Sequence, residues 1–262
     1  MRDRFFVELC RMVALLCISF ATRNNYSLIL ILIGYEEIIL IIVTLLATIC
    51  ANAQIMRVDE LEKYAKEKYG DKWTEAAANI SKSIELDKNN AMTFVQVISC
   101  DGQSAEQLYV NLNYWFTATF NDANSVIKLN DKESGVIIAS GYMADIAGHA
   151  GGTNSYNVSI KPVIRVDIKE GKIRVTYSID HYDVTVLAGG GIMGALAGSI
   201  PTRVEEKWVL DKCYPFKEKD VHHAKRTSSK ALVMSYAYSN VLLDKIEEAA
   251  KHGLVGNEND NW

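Results

Sequence analysis

Residues 92–140 read MTFVQVISCDGQSAEQLYVNLNYWFTATFNDANSVIKLNDKESGVIIAS, and in them pattern, caps and turn chemistry agree on one structure. Met92–Ser99 is rich in Phe, Val and Ile and too short for a typical helix, which predicts a strand. Cys100-Asp101-Gly102 breaks it. Ser104 followed by Gln107 is a capping-box pair, whose hydroxyl and amide can each satisfy a free backbone N–H. Leu108, Leu112, Trp115, Phe116 and Thr119 then form one apolar stripe at helical spacing. Residues 121–124, Asn-Asp-Ala-Asn, end that helix. Two apolar segments, 125–129 and 136–140, flank Asn130-Asp131-Lys132-Glu133-Ser134-Gly135 and predict a β-hairpin.

The combination of QLYVNLNYWF (107–116), NDANSVIKLNDKESG (121–135) and VIIASGYM (136–143) resembles a bacterial family of domains of unknown function. That family has a TATA-binding-protein-like (TBP-like) fold and is common in exported proteins of Bacteroides-type bacteria. The features that carry the resemblance are the Leu108-Tyr109 pair, Trp115 four residues before Thr119, and the Asp131-Lys132-Glu133 turn closed by Gly135. It spans roughly 90–183, under half of the 262 residues. It implies an α+β fold, an antiparallel sheet with one helix packed across it, and it brings no catalytic or binding residue with it.

On the N-terminal side, residues 12–21, 26–34 and 38–50 are apolar runs separated by Arg23-Asn24-Asn25 and by Glu36-Glu37. None alone reaches the roughly 20 residues that cross a bilayer, and a span over 28–50 would bury two carboxylates. Residues 38–49 have the length of a signal-peptide hydrophobic region, and Ala51-Asn52-Ala53 is a small-x-small cleavage site before Gln54. Segment 1–53 therefore predicts a signal peptide preceded by an extension, spurious or anchoring, since Glu36-Glu37 stands where Lys or Arg belongs. The alternative is a membrane anchor built from the apolar runs. Segment 54–89 predicts helix, with Trp73, Ala77, Ile80 and Ile84 on one side and Gly70 dividing it.

On the C-terminal side, 147–154 (AGHAGGTN) reads as a glycine-rich connecting loop without the order of a phosphate-binding motif. Val158, Ile160, Ile164, Val166 and Ile168 then alternate with polar residues, which predicts one half-buried strand. Glu170-Gly171 is a two-residue turn into Ile173, Val175, Tyr177 and Ile179, and it places Ile168 opposite Ile173 and Val166 opposite Val175. These strand residues are expected to bury against Leu112, Trp115 and Phe116. Residues 184–200 (VTVLAGGGIMGALAGSI) form an uncharged insert in which Gly190, Gly194 and Gly198 make a GxxxGxxxG series. On a helix that series would permit close contact with a membrane or partner helix, and the alternative is an exposed, mobile loop. A strand over 202–210 offers Val204, Trp208 and Leu210 to the core. It closes the TBP-like segment, 90–216, and a long helix over 227–252, capped by Ser228 or Ser229, fills 217–262.

The formal charge is −4, and no basic stripe or intercalating set points to nucleic acid, so no nucleic-acid partner is expected. No HExxH, CxxC, GxSxG or Asp-x-Asp-x-Asp-Gly motif occurs, so no catalytic residue, metal ligand or cofactor is assigned. Adjacent His222-His223 diverge and suit solvation better than a metal. Cleavage after Ala53 would leave Cys100 and Cys213, candidates for a disulfide in an oxidising compartment or for two buried thiols. The reading is an exported, non-enzymatic binding module of the cell envelope, its partner a protein, peptide or glycan. A membrane-associated component using 184–200 comes second and an enzyme third.

Overall fold

The computed structural model describes residues 55–120, 126–222 and 225–253. The chain divides into two compact units, Met1–Asn52 and Ala53–Trp262, and every described residue belongs to the second. Ala53, Gln54, the apolar runs before them and the tail at 256–262 lie outside the described residues.

Two helices open the unit, α1 (Val58–Tyr69) and α2 (Trp73–Ile80), separated at Gly70 as expected. They bury Leu61, Ala65, Trp73, Ala76, Ala77 and Ile80. Strand β1 (Met92–Ser99) and helix α3 (Ala105–Thr119) follow. The Ser104 side chain accepts a hydrogen bond from Gln107 N, but the Gln107 amide donates to Asn111 instead of closing the capping box. Only half of that box forms. Leu108, Leu112, Trp115 and Phe116 are the buried stripe of α3.

The remaining strands are β2 (Ile127–Asp131), β3 (Val136–Ser140), β4 (Met143–Ala150), β5 (Asn154–Ile160), β6 (Val163–Lys169), β7 (Lys172–Ile179), β8 (His181–Ala188) and β9 (Thr202–Val209). They form two antiparallel sheets, in the orders β1-β7-β6-β3-β2 and β4-β5-β8-β9. The expected single sheet is thus a bent one. Three strand paths, β3 into β4, β5 into β6 and β7 into β8, pass from one sheet to the other in the same lateral order. The bends fall at Gly141-Tyr142, Lys161-Pro162 and Asp180, and Gly141 N donates to Pro162 O across the first two. Pro162 supplies no N–H to a ladder, so a continuous strand over 158–168 must break there.

One face of this bent sheet is the core. Ile164, Val166, Ile168, Ile173, Val175 and Tyr177 are all buried, with Ile168 opposite Ile173 and Val166 opposite Val175 as expected from the turn. Helix α3 packs over β6, bringing Leu112, Trp115 and Phe116 to the same side. A 28-residue helix, α5 (Lys225–His252), lies on β4, β1 and β7, and α1, α2 and α3 pack against it. At 1.5 Å per residue α5 is about 42 Å long, enough to reach across both sheets. The helix is buried on more than one side, because helices cover α5 away from the sheet and Ser228, Ser229, Ser235 and Ser239 are buried too. Ser228 and Ser229 lie inside the helix, not at its cap, and Ser229 Oγ donates back to Lys225 O.

Two further expectations change. Residues 147–150 belong to β4 and 154 begins β5, so the glycine-rich loop is the tip of a hairpin. Residues 184–188 complete β8, whose Tyr182, Val184 and Val186 are buried, and the insert proper begins at Gly189. On the edge strand β9, Trp208 reaches the core and is followed there by Leu210, while Val204 is exposed.

Candidate functional site: the apolar tip at 189–200

Between β8 and β9 the chain makes a loop carrying the short helix α4 (Ile192–Leu196). Gly194 lies within that helix, Gly190 precedes it and Gly198 follows with φ +64°, so the GxxxGxxxG series does not form one helical face. Its glycines serve another purpose. A Cβ on Gly191 would stand 2.6 Å from Gly151 O, and one on Gly194 would run into Gly189 O. The loop folds back on itself and onto the 151–153 turn with no room for side chains.

Backbone hydrogen bonds fix this packing. Gly191 N donates to Thr153 O, Ile192 N to Gly151 O and Met193 N to Gly152 O, at 2.9–3.1 Å. Gly189 N donates to the Asn154 side chain and Ser199 N to Gly194 O. The loop is therefore tied to the β4–β5 hairpin rather than free, which replaces the expectation of a mobile insert. What it holds outward is apolar: Ile192, Met193, Leu196 and Ile200 are 59%, 62%, 80% and 93% exposed. From 184 to 202 the chain has no charged residue. Contiguous uncovered apolar groups of this kind mark contact surfaces on soluble domains.

A second feature lies at the start of α5. Glu62, Lys66, Asp71, Trp73, His149 and Lys230 help to line an open hollow of about 690 Å³. Lys225, Arg226 and Thr227 complete its rim, so four cations face two carboxylates there, a local surplus of positive charge in a chain of net −4. Glu62 accepts from Lys230 at 2.7 Å and pairs with Lys66 at 2.6 Å. Burial pushes its carboxyl up, but those two lysines outweigh that and hold it below the ordinary value. His149 shares a 2.7 Å hydrogen bond with Thr227 and stacks on Tyr156, and burial lowers its pKa. The hollow suits an anionic group, but its lysines are largely engaged by their own carboxylates and aromatics.

The other predicted positions are not brought together. Cys100 and Cys213 are both buried and free. Cys100 lies near Lys251 at the end of α5, and Cys213 near Ser228 at its start. Those two neighbours are about twenty-three residue steps apart on the helix, about 35 Å along the axis, so no disulfide can join the thiols in this fold. His222 is not a solvated histidine: it stacks on Trp208 at 4.3 Å, while His223 lies outside the described residues. His181 sits between Asp180 and Asp183, an arrangement local spacing could have suggested. Among the described residues no group of His, Cys, Asp and Glu is arranged to hold a metal, and no helix is long and apolar enough to cross a membrane.

A bent antiparallel sheet with helices on one face defines an α+β domain of the TBP-like class. Residues 94–182, about a third of the chain, match the family described as Domain of unknown function (DUF4468) with TBP-like fold. Two solved structures are similar. One is a TBP-like protein from Parabacteroides distasonis ATCC 8503, at 10% identity and a TM-score of 0.45, covering 64% of this chain and 97% of that one. The other is a DUF4468 family protein from Bacteroides ovatus ATCC 8483, at 18% identity and a TM-score of 0.38, covering 63% and 88%. No curated protein matches the chain.

Proposed function

We propose that the chain is an exported, non-enzymatic interaction module of the cell envelope that grips a protein partner through the 189–200 tip. The observation that carries this reading is the tip itself, four large apolar side chains held in solvent on a hydrogen-bonded backbone. Burying each is worth about 1.5–3 kcal/mol. A backbone already fixed also lowers the ordering penalty on association. Export rests on Ala51-Asn52-Ala53 after the short apolar run.

The charge-free stretch from 184 to 202 favours a second reading, insertion of the tip into a lipid surface. Stable membrane attachment by a small apolar group requires a further signal such as a basic patch. The nearest cation, Arg203, is paired with Glu205 at 2.6 Å, so the protein partner is preferred. The test replaces Ile192, Met193, Leu196 and Ile200 together by Ser. In-cell crosslinking to a discrete partner should disappear while vesicle flotation stays unchanged. Loss of flotation instead would install the lipid reading, and no change in either would place the contact elsewhere. For export, N-terminal sequencing should find Gln54 first, and an intact Met1 in the membrane fraction would reject cleavage.

A further inference from the structure

We propose that the free edge of β1 pairs with the same edge of a second copy of this chain, continuing the five-stranded sheet across a two-fold axis. β1 is an end strand, paired along its length only to β7. On its other side one bridge, Leu86 to Met92, covers its first residue, and no other bridge reaches that edge from the described residues. An open edge offers unpaired N–H and C=O groups, which proteins usually shield with charge, proline, a bulge or a covering element.

The other three sheet ends carry such shields. β9 has Arg203, Glu205, Glu206 and Lys207. β2 has Lys128, Asp131 and an irregularity between Ile127 and Leu129. β4 has a register shift between Met143 and Ala147, and α5 and α1 pack on it. β1, MTFVQVIS, has no charge, no proline and an unbroken register, and it holds Val95 and Val97 60% and 64% exposed.

The strand is also complementary to itself. An antiparallel pairing of identical strands is necessarily two-fold symmetric, so each contact is repeated with the roles exchanged. Centred on Gln96, it sets Val95 opposite Val97 of the partner subunit, both on the exposed face. Phe94 then faces Ile98 of the partner subunit on the helix side, and Thr93 faces Ser99 of the partner subunit. Apolar meets apolar and hydroxyl meets hydroxyl, and none of the strand side chains so paired is charged. The Gln96 side chain is already held by Glu247 at 3.1 Å, beneath the axis.

Sedimentation of the full chain should show a concentration-dependent dimer. Val95→Lys/Val97→Lys and Val95→Glu/Val97→Glu should each be monomeric with unchanged circular dichroism, and mixing the two should restore a dimer. Hydrogen exchange on the native chain requires no substitution: amides within 94–98 should gain protection several-fold as concentration rises. A native chain monomeric up to about 1 mM would overturn the proposal. So would an oligomer that survives both substitutions, a mixture that stays monomeric, or exchange at 94–98 indifferent to concentration.

Discussion

Asp167 shows what a single side chain contributes on the uncovered face of the sheet. Its carboxylate accepts from Arg165 at 2.7 and 3.0 Å and from Arg174 at 3.0 and 3.2 Å, one oxygen to each guanidinium. The hydrogen bonds from Arg165 first, and then those from Arg174, outweigh burial and hold the Asp167 pKa below its usual 3.8. A carboxyl depressed in the folded state stabilises fully above its unfolded pKa, and that contribution fades as pH falls through the folded value. Both guanidiniums are about half exposed, so Asp167→Asn should cost about 1 kcal/mol at neutral pH. In urea titrations the gap between native and variant should close in acid, below pH 3.8. A gap that persists there would mean the loss is steric. The local sequence contained all three residues, but the register that joins Arg174 to Asp167 across β6 and β7 came only through the Glu170-Gly171 turn.

At the scale of elements, the hairpin over 127–140, the helix Ala105–Thr119 and the β6–β7 pair were legible because each is specified within about fifteen residues. The bends were not, and parity explains why. Lys161-Pro162 inserts two residues, so the buried positions stay even-numbered from Val158 and Ile160 to Ile164 and Val166, and the alternation runs through the bend unmarked. Asp180 inserts one, so burial shifts from odd positions ending at Ile179 to even ones beginning at Tyr182, and the break imitates a strand end. β8 thereby merged with the glycine run beyond it. The tip was legible as uncharged and apolar, but its anchoring on 151–153 is a contact some forty residues away in sequence. That anchoring makes its own prediction. In Gly194→Ala the new Cβ meets Gly189 O, which cannot move aside as a side-chain end would. The tip should detach from the hairpin, with faster proteolysis between 189 and 201. Global stability should fall by only about 1–3 kcal/mol. Unchanged proteolysis would show that the loop tolerates the methyl group by another route.

For the whole unit the decisive fact is that one apolar cluster runs through both sheets and the helices α1, α2, α3 and α5. A bent sheet could come apart at its bend line, since only Gly141-Tyr142, Lys161-Pro162 and Asp180 join the strands along it. Helix α5 opposes that. Its first turns lie by Cys213, and Tyr182 lies beside Ser235. Further along, Tyr236 meets Phe94 and Tyr238 meets Tyr177. Loosening either sheet exposes part of a helix whose other part still holds the second sheet, at about 25 cal/mol for each Å² of apolar surface. The unit should therefore unfold in one step. Three buried tryptophans sit where this can be read separately: Trp73 in α2, Trp115 in α3 and Trp208 in β9. Variants that keep one of the three and carry Phe at the other two and at Trp262 should give fluorescence transitions at the same urea midpoint as the helical circular dichroism, allowing for each variant's own stability. If the Trp208 transition came earlier than the circular dichroism in its own variant, the β4-β5-β8-β9 sheet would be opening by itself. Helix α5 would then be a cover resting on two separable sheets, not the beam that joins them.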